Sequence, residues 1–382
     1  TLVMAALFGA AGVTLVFLPR WLEVERGLSG AEIGAVLSLA QFARILTGPT
    51  IAYWADGARD RSTPLKLVSI AALAAYAAFF FLADGFWELL AFGFVALSLS
   101  QAMTPLVEVA VLRATAQGKI SYGVSRGIGS IAFIVANIAG GVLIARFGLG
   151  AVVVWIVSAL ALVVATSWLG LQREAAPAPT RAQRAGGFGD LLRNRRFLVV
   201  IFACGLIQSA HGFYYGFSTL VWRGQGVSAE MVGVLWAFGV AVEVAFLWSL
   251  APIERRLAPE ALILIGAAGA VVRWLAMGLA PLGLVLWPLQ ALHALSFAAT
   301  HVGAMRLLYR DAPESSAAMA QTLHAALSAG LLMGAATLLS GHLYDVAGAK
   351  GYWAMAAMAA AGGVLALPLL APRPRRPADR PR

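Results

Sequence analysis

The sequence predicts an all-α membrane protein in which twelve transmembrane helices form two pseudo-symmetric bundles of six. Three observations favour this fold class: the composition, a series of long apolar runs, and a weak internal repeat. Of the 382 residues, 60% are hydrophobic and 12% are charged, and the mean hydropathy is +0.82. A soluble domain contains about 25% charged residues. The chain therefore has too few charged side chains to cover a water-soluble surface of this size.

The apolar runs give the number of membrane crossings. A helix needs about 20 predominantly apolar residues to cross a bilayer. Twelve such runs occur, at 1–22, 31–54, 65–84, 87–113, 122–145, 150–171, 197–222, 229–250, 260–279, 282–308, 315–342 and 351–371. The longest break is rich in Ala, Pro and Arg and divides the chain six plus six. We therefore predict an N-terminal bundle (1–171), a cytoplasmic linker (172–196), a C-terminal bundle (197–371) and a basic cytoplasmic tail (372–382).

The positions of Lys and Arg predict the orientation, since cytoplasmic loops carry an excess of both residues. With the N-terminus inside, twenty lie in cytoplasmic segments and five lie outside, namely Arg20, Arg26, Arg146, Arg223 and Lys350. Both termini are therefore expected in the cytoplasm. The net charge of +10 is then a topology signal, and because no basic face is present we expect no nucleic-acid partner.

Two further patterns support a transporter of small solutes. Residues 31–37 at the start of the second run resemble residues 229–235 at the start of the eighth, and Gly141 corresponds to Gly341. Such repeats are typical of transporters that hold their substrate near the midplane between two halves. The single cysteine, Cys204, lies in an apolar run and excludes an internal disulfide or a multi-cysteine metal site. No cleavable signal peptide is expected, because a basic leader and a cleavage site are not evident.

Charged residues inside the runs point to a cavity, because each costs about 2.5–3.5 kcal/mol at the bilayer centre unless it faces water or a partner. The runs contain Arg44, Glu108, Arg126, Glu243, Arg273, His211, His293, His301 and His324. Helical spacing places several on shared faces with Gln208, Tyr215, Gln290, Phe297 and Asn137. We expect these polar stripes to line one cavity. Structural ion pairs are the alternative interpretation.

The chemistry of such a cavity suits a proton and an anion. A carboxyl group in a low-dielectric site keeps its proton to higher pH, and histidine titrates near neutrality, so Glu243 and a nearby histidine are candidate proton carriers. Arg126 or Arg273 is suited to bind a carboxylate in bidentate fashion. Tyr214, Tyr215, Trp236 and Phe297 offer flat surfaces to a ring, although packing is the commoner role for aromatic residues in helices. A pair between Arg44 and Glu243 is a further hypothesis.

The twelve-run, six-plus-six plan resembles the major facilitator superfamily. Residues 52–61, Ala52-Tyr53-Trp54-Ala55-Asp56-Gly57-Ala58-Arg59-Asp60-Arg61, are similar to its signature loop, with Ala52 where that family prefers glycine. The resemblance implies that Asp56, Arg59 and Arg61 are gating charges.

More specific similarity is to the phenylpropionate permease group. It is carried by 17–19, 43–44, 122–130, 208–218, 233–244, 272–274 and 292–306, and it covers essentially the whole chain. It implies proton symport of a small organic acid such as phenylpropionate or cinnamate. A more distant resemblance to the lactose permease type implies that Glu108 and Arg126 bind substrate. The same resemblance implies that Glu243, Arg273 and His293 or His301 handle the proton, although no acid follows His301 within one turn.

Together these interpretations predict a multi-pass secondary transporter of the bacterial inner membrane. We expect a monomer in contact with lipid that uses a proton gradient, needs no cofactor or metal, and catalyses no chemical reaction. The predicted substrate-binding residues are Arg126, Glu108, Arg44, His211, Tyr214, Tyr215, Trp236, Gln208 and Asn137. The predicted proton-coupling residues are Glu243, Arg273, His293 and His301.

Alternatives of the same fold are a proton-coupled sugar or nucleoside symporter and a drug-type efflux transporter. A membrane enzyme is disfavoured, since no HExxH or GxSxG motif occurs. In addition, His293 and His301 are about 12 Å apart along one helix at about 1.5 Å per residue, too far to share a metal. A solute sensor is disfavoured because no soluble signalling domain is evident.

Overall fold

The computed structural model describes residues 1–171, 191, 193–311 and 317–371, and over these residues it contains helices and no β-strand. The predicted tail and residues 172–190 and 192 of the predicted linker lie outside this range. The first half contains α1 (Leu2–Glu25), α2 (Gly30–Gly57), α3 (Thr63–Phe81), α4 (Phe86–Ala116), α5 (Tyr122–Phe147) and α6 (Gly150–Gly170). The second contains α7 (Arg195–Gly224), α8 (Ala229–Trp248), α9 (Pro259–Met277), α10 (Gly283–Asp311), α11 (317–347) and α12 (Tyr352–Ala366).

The described residues contain eleven helical stretches that are long and apolar enough to cross a membrane. The last of them, Met319–Leu370, has 52 residues, about 78 Å of helix at about 1.5 Å per residue, which is far more than the bilayer core requires. It turns at Gly348, whose φ of +53° ends α11, so it supplies two crossings. The twelve predicted crossings are confirmed, and the predicted ends differ from the observed ones by no more than five residues.

The repeat in the sequence marks equivalent helix starts. Ser29 precedes α2, accepts a hydrogen bond from the N–H of Glu32, and donates its own N–H to the Glu32 carboxylate at 2.9 Å. Ser228 precedes α8 and accepts from the N–H of Met231 at 3.3 Å. Both caps satisfy backbone donors that a helix start leaves without partners. The two similar segments therefore begin helices in the same way in each half.

The two halves meet at close crossings of small residues. A Cβ placed on Gly34 of α2 would lie 3.0 Å from the Cα of Gly341 on α11. At the equivalent crossing of α5 with α8, a Cβ on Gly233 would overlap the carbonyl group of Asn137, and one on Gly141 would lie 3.0 Å from the carbonyl carbon of Ala229. Only glycine lets the backbones approach so closely. The matching glycines found in the sequence thus build two related contacts between the halves.

Polar contacts also join the halves near these crossings, at the end of the molecule where α1 ends and α2 begins. We call this the closed end. The Asp345 carboxylate on α11 accepts from the N–H groups of Gly30 and Ala31 at 2.7 and 2.8 Å, and so caps α2 from the other half. Tyr344 donates to Glu23 of α1 at 2.9 Å. A carboxylate at a helix N-terminus also interacts favourably with the helix dipole. The interface between the two halves, which we call the seam, is therefore closed at this end by packing and by hydrogen bonds.

The other end of the seam is open; we call it the basic end because Arg59, Arg61, Arg113 and Lys119 lie there. A cavity of about 680 Å³ lies between α2, α4 and α11 and reaches from Arg44 to this end. The distribution of Lys and Arg predicts that the basic end faces the cytoplasm. On that prediction, the cavity opens towards the cytoplasm.

We predict that adding one methyl group at the α2–α11 crossing opens the closed end. Gly341→Ala would place its Cβ 3.0 Å from the carbonyl carbon of Gly30, and such overpacking typically costs about 1–3 kcal/mol. Thr219 lies in the seam, 1% exposed, and donates to the carbonyl of Val16 at 2.6 Å. A Thr219→Cys reporter should therefore react with a maleimide roughly tenfold faster when Gly341→Ala is present.

The matched control is Gly127→Ala in α5, where a Cβ would meet nothing within 4 Å. The native thiol of Cys204 is fully buried and gives a low background of labelling. Equal labelling rates in the Gly341 and Gly127 variants would contradict the role given to the glycine crossing.

Candidate functional site

Three titratable side chains form a hydrogen-bonded chain inside the C-terminal half. Arg273 of α9 lies 3.0 Å from Nδ1 of His293 on α10, and Nε2 of the same histidine lies 3.2 Å from a carboxylate oxygen of Glu243 on α8. Arg273 is fully buried and His293 is 7% exposed, whereas the Glu243 side chain is 20% exposed. The sequence placed all three residues in the proton-coupling set, and the structure brings them together.

The partners of His293 fix the form of its ring. The Arg273 guanidinium has donors only and does not lose its proton in proteins, so Nδ1 of His293 must accept. Nε2 of the neutral ring then carries the hydrogen and donates to Glu243. An imidazolium would present a donor to Arg273 at 3.0 Å, with two positive charges in contact. In this arrangement a neutral ring links the guanidinium of Arg273 to the carboxylate of Glu243.

A second branch of hydrogen bonds extends the chain to α7. Arg273 lies 3.4 Å from the hydroxyl of Ser296, and that hydroxyl lies 3.1 Å from Nε2 of His211. Nδ1 of His211 lies 2.9 Å from the carbonyl oxygen of Gln208, an acceptor, so the ring donates there and accepts from Ser296. His211 and Ser296 are fully buried. His211 therefore interacts with the protein interior here and not with the cavity described above.

Aromatic rings and an amide hold Arg273 in place. Its guanidinium carbon lies 4.5 Å from the ring centre of Tyr214 and 4.6 Å from that of Trp274, within the range of cation–π contacts. Gln290 accepts from Arg273 at 3.0 Å and from the Tyr214 hydroxyl at 2.8 Å. Trp236 stacks on Tyr214 with ring centres 4.4 Å apart. Tyr214 thus packs on the buried arginine and Trp236 packs on Tyr214, which is the packing role left open by the sequence.

A second stack of rings lies along α10, beside a segment of π-helix. The segment Ala294–Ala299 is π-helical, a form in which extra backbone groups need partners, and the amide of Gln208 donates to the carbonyl of Phe297 at 3.2 Å. His293, Phe297 and His301 stack in turn, with ring centres 5.3 and 6.3 Å apart. His301 is exposed. The stack therefore leads from the buried chain to an accessible imidazole.

The predicted residues of the N-terminal half form a separate group. Arg126 of α5 lies 4.0 Å from the Glu108 carboxylate of α4, with side chains 41% and 37% exposed. Arg126 also lies 3.4 Å from the hydroxyl of Ser130, and its guanidinium carbon lies 4.6 Å from the ring centre of Phe8. The acid–arginine pair inferred from the lactose permease resemblance is thus close in space. Its role in binding stays a prediction.

The expectation of one cavity lined by all the polar stripes is wrong. Among the described residues, the 680 Å³ cavity is lined by Arg44 and Arg61 of the predicted set and by none of the stripe residues of α5, α7, α8 or α10. Asn137 is fully buried at the α5–α8 crossing, because the adjacent Gly233 admits its backbone. The hypothesis of an Arg44–Glu243 pair is also wrong, since Glu243 contacts His293 while Arg44 faces the cavity.

Tyr215 lies partly buried beside His211, with ring centres 5.6 Å apart. In the predicted gating loop, Arg59 is exposed and Arg61 lines the cavity. The side chain of Asp56 is not among those that the structure describes. Within the described ranges, no group of three or more His, Cys, Asp or Glu side chains is placed to hold a metal ion.

Sequence reasoning missed several cluster and cavity residues. Ser296 and Trp274 also belong to the Arg273 cluster. The sequence contains a signal for both, because Ser296 follows His293 by three residues and Trp274 follows Arg273 directly. Arg113 and Lys119 line the cavity but were counted only as topology charges.

Comparison with known proteins identifies the fold. The MFS_1-like family matches residues 3–355. The chain belongs to this family. It is 31% identical over 379 residues to the "probable 3-phenylpropionic acid transporter" of Escherichia coli, covering 96% of this chain and 94% of that protein. It is 26% identical to the maltose permease of Geobacillus stearothermophilus, covering 97% and 93%. The resemblance to the major facilitator superfamily and its phenylpropionate permease group is therefore confirmed.

Solved structures agree on the fold. A crystal structure of a mutant nucleoside transporter NupG has a TM-score of 0.84 at 14% identity and covers 97% of this chain and 98% of that one. An inward-facing bacterial homologue of the lysosomal transporter Spinster has a TM-score of 0.73 at 15% identity and covers 96% and 94%. The family match and the Escherichia coli relative, together with this fold, show that the chain is a multi-pass membrane protein and a secondary transporter and not an enzyme.

We predict that Arg273 stabilises the C-terminal half. Arg273→Gln removes the charge bonded to His293 and leaves Gln290 and Ser296 with fewer partners in a buried site, so unfolding free energy should fall by about 3 kcal/mol. Denaturant unfolding in one detergent, followed by tryptophan fluorescence, measures the loss.

The matched control is Arg306→Gln, which breaks a contact with Glu254 at 3.7 Å between side chains that are both 34% exposed. That change should cost less than about 1 kcal/mol. A loss for Arg273→Gln as small as that of the control would show that the buried cluster does not stabilise the fold.

Proposed function

We propose that the protein couples the entry of protons to the uptake of a small organic anion with an apolar, aromatic body. The observation that carries the proposal is the chain from Glu243 through His293 to Arg273. Glu243 is its accessible end, and a proton taken up there removes the negative charge that balances Arg273. The neutral histidine between them transmits the change, because it is hydrogen-bonded to both.

Charge balance gives a physical reason for coupling. With Glu243 ionised, the three residues carry no net charge; with Glu243 protonated, they carry one positive charge. A positive potential in the low-dielectric interior favours an anion nearby, and by linkage a bound anion favours the proton to the same extent. Proton and anion would then bind together and favour the rocking of one half against the other.

The cavity supports an anionic cargo. Four cationic side chains are among its lining residues, namely Arg44, Arg61, Arg113 and Lys119, together with apolar walls from α2, α4 and α11. Its volume of about 680 Å³ lies in the range of small-molecule sites, about 300–1,000 Å³. The name of the Escherichia coli relative, a 3-phenylpropionic acid transporter, supports the same chemical class.

We further propose that the protein acts as a monomer in the inner membrane of a bacterium. Both termini would lie in the cytoplasm, and the cavity would open towards it. The excess of Lys and Arg at the basic end supports this orientation. Both halves of the seam belong to one chain, which supports a monomer.

A sugar or nucleoside cargo is the second candidate. The maltose permease relative and the fold of the nucleoside transporter NupG favour testing it. The test is uptake of radiolabelled 3-phenylpropionate, maltose and uridine into proteoliposomes, with and without an inward proton gradient. Accumulation of the acid that an ionophore collapses would support the proposal. Gradient-driven accumulation of maltose or uridine alone would show that the cargo is a sugar or nucleoside and not the acid. Gradient-driven loss of label from preloaded vesicles would indicate efflux.

Glu243→Gln should abolish gradient-driven accumulation, because the amide resembles a protonated carboxyl and cannot release a proton. We expect accumulation to fall at least about tenfold while exchange of labelled for unlabelled substrate continues. The control is Glu254→Gln, a carboxylate of a half-exposed ion pair at the basic end; it should leave accumulation close to wild type. Uphill uptake by Glu243→Gln would remove this residue from the coupling role.

A further inference from the structure

Three arginines, Arg44, Arg126 and Arg273, are the ones that the sequence analysis places inside the apolar runs and towards a cavity, and two of them are already occupied. Arg273 is fully buried, with His293 and Gln290 bonded to its guanidinium at 3.0 Å each. Arg126 faces the carboxylate of Glu108 at 4.0 Å, so an anion at Arg126 would also meet a negative charge. Neither guanidinium offers an uncompensated positive charge to an anion in this conformation.

Arg44 differs from both. It lies near the middle of α2, fourteen residues from Gly30 or about 21 Å along the helix at about 1.5 Å per residue. It is exposed and lines the cavity. Within the described part of the chain, no hydrogen bond, ion pair or aromatic ring engages its guanidinium. A cation held without a partner at this depth is costly, and such residues mark the path of a charged solute.

The surroundings of Arg44 complete a site for an amphipathic anion. Within the described residues, the cavity lining contains no aspartate or glutamate, so no carboxylate competes for the guanidinium. Ile45, Leu106 and Val109 contribute apolar surface to the same cavity. The combination of one deep cation with apolar walls matches a carboxylate attached to a hydrophobic body.

The site also lies where the two halves separate. At the level of Arg44, a Cβ on Gly330 of α11 would lie 2.9 Å from Ile45, and towards the closed end one on Gly334 would lie 2.8 Å from Phe42. Below it, Ala325 and Ala326 of α11 line the cavity with Arg44. A ligand held by Arg44 therefore sits at the point where α2 leaves α11, and closure of the basic end would bring both halves around it.

We propose that Arg44 is the residue that binds the carboxylate of the transported anion, while the apolar body lies against Ile45, Leu106 and Val109. This inference rests on the proposed organic-acid cargo and adds the residue that selects it. Arg61, Arg113 and Lys119 lie nearer the mouth and raise the local concentration of anions without setting the specificity.

The test compares an acid with its uncharged amide. Binding of 3-phenylpropionate and of 3-phenylpropionamide to purified protein in detergent is measured at one pH by isothermal titration calorimetry. A hydrogen bond to a charged group favours the acid by about ten- to hundredfold over the neutral isostere. Arg44→Gln should bring the ratio of the two dissociation constants close to one. Arg44→Lys keeps the charge and loses the bidentate fork, and should leave an intermediate ratio.

The control variant is Arg306→Gln, which loses a partly exposed contact with Glu254 and should keep the wild-type preference for the acid, while Arg126→Gln tests the rival arginine. Loss of that preference in Arg126→Gln with retention in Arg44→Gln would overturn the inference and assign the carboxylate to Arg126. If Arg44→Gln does not yield monodisperse protein, the Arg44→Lys ratio decides: a value equal to wild type overturns the inference. A wild-type protein that binds both ligands equally overturns the organic-acid cargo as well, so the two failures are distinguishable.

Discussion

The close contact of backbones at the α2–α11 and α5–α8 crossings is the constraint on which the rest of the structure depends. Gly34 and Gly341 make one crossing, and Gly141 and Gly233 belong to the other. Because no side chain separates the helices there, the two halves touch at the closed end and diverge towards the basic end. The cavity exists because of that divergence, and its deep end lies where α2 leaves α11, at the level of Arg44.

The two halves divide the chemistry between them. The chain of Glu243, His293 and Arg273 lies wholly within the C-terminal half, bonded to α7 through Ser296 and His211, whereas the cavity is lined mainly by α2 and α4 with a contribution from α11. A proton and an anion would therefore occupy different places in one molecule. Their coupling would act through electrostatic potential and through the movement of the seam, and it does not require direct contact.

The sequence was sufficient to predict the fold but not the contacts between side chains. Span ends were predicted well because bilayer thickness fixes the length of each apolar run, and a capped start such as Ser29 marks the boundary. Partners were not predictable, because a helix wheel gives the face of a residue and not the rotation of the helix. Thus Glu243 contacts His293 and not Arg44, and Asn137 is buried at a crossing. The π-helical turn at Ala294–Ala299 has no sequence signal in spacing, whereas the stack of His293, Phe297 and His301 follows their spacing of four residues.

In the proposed mechanism, the position of His293 between Arg273 and Glu243 is what would let the charge of this cluster change. In a direct contact, two opposite charges at about 4 Å in a low-dielectric interior attract strongly, and protonating the carboxylate would cost that whole attraction. With neutral His293 between them, the charges lie farther apart and the attraction falls in inverse proportion to the distance, while hydrogen bonds at 3.0 and 3.2 Å keep the geometry fixed. Under the proposed function, Glu243 would gain and lose a proton while the cluster that surrounds Arg273 stays in place. A buried arginine held by neutral partners and aromatic rings is thus compatible with a stable bundle and with the proposed change of charge on the carboxylate.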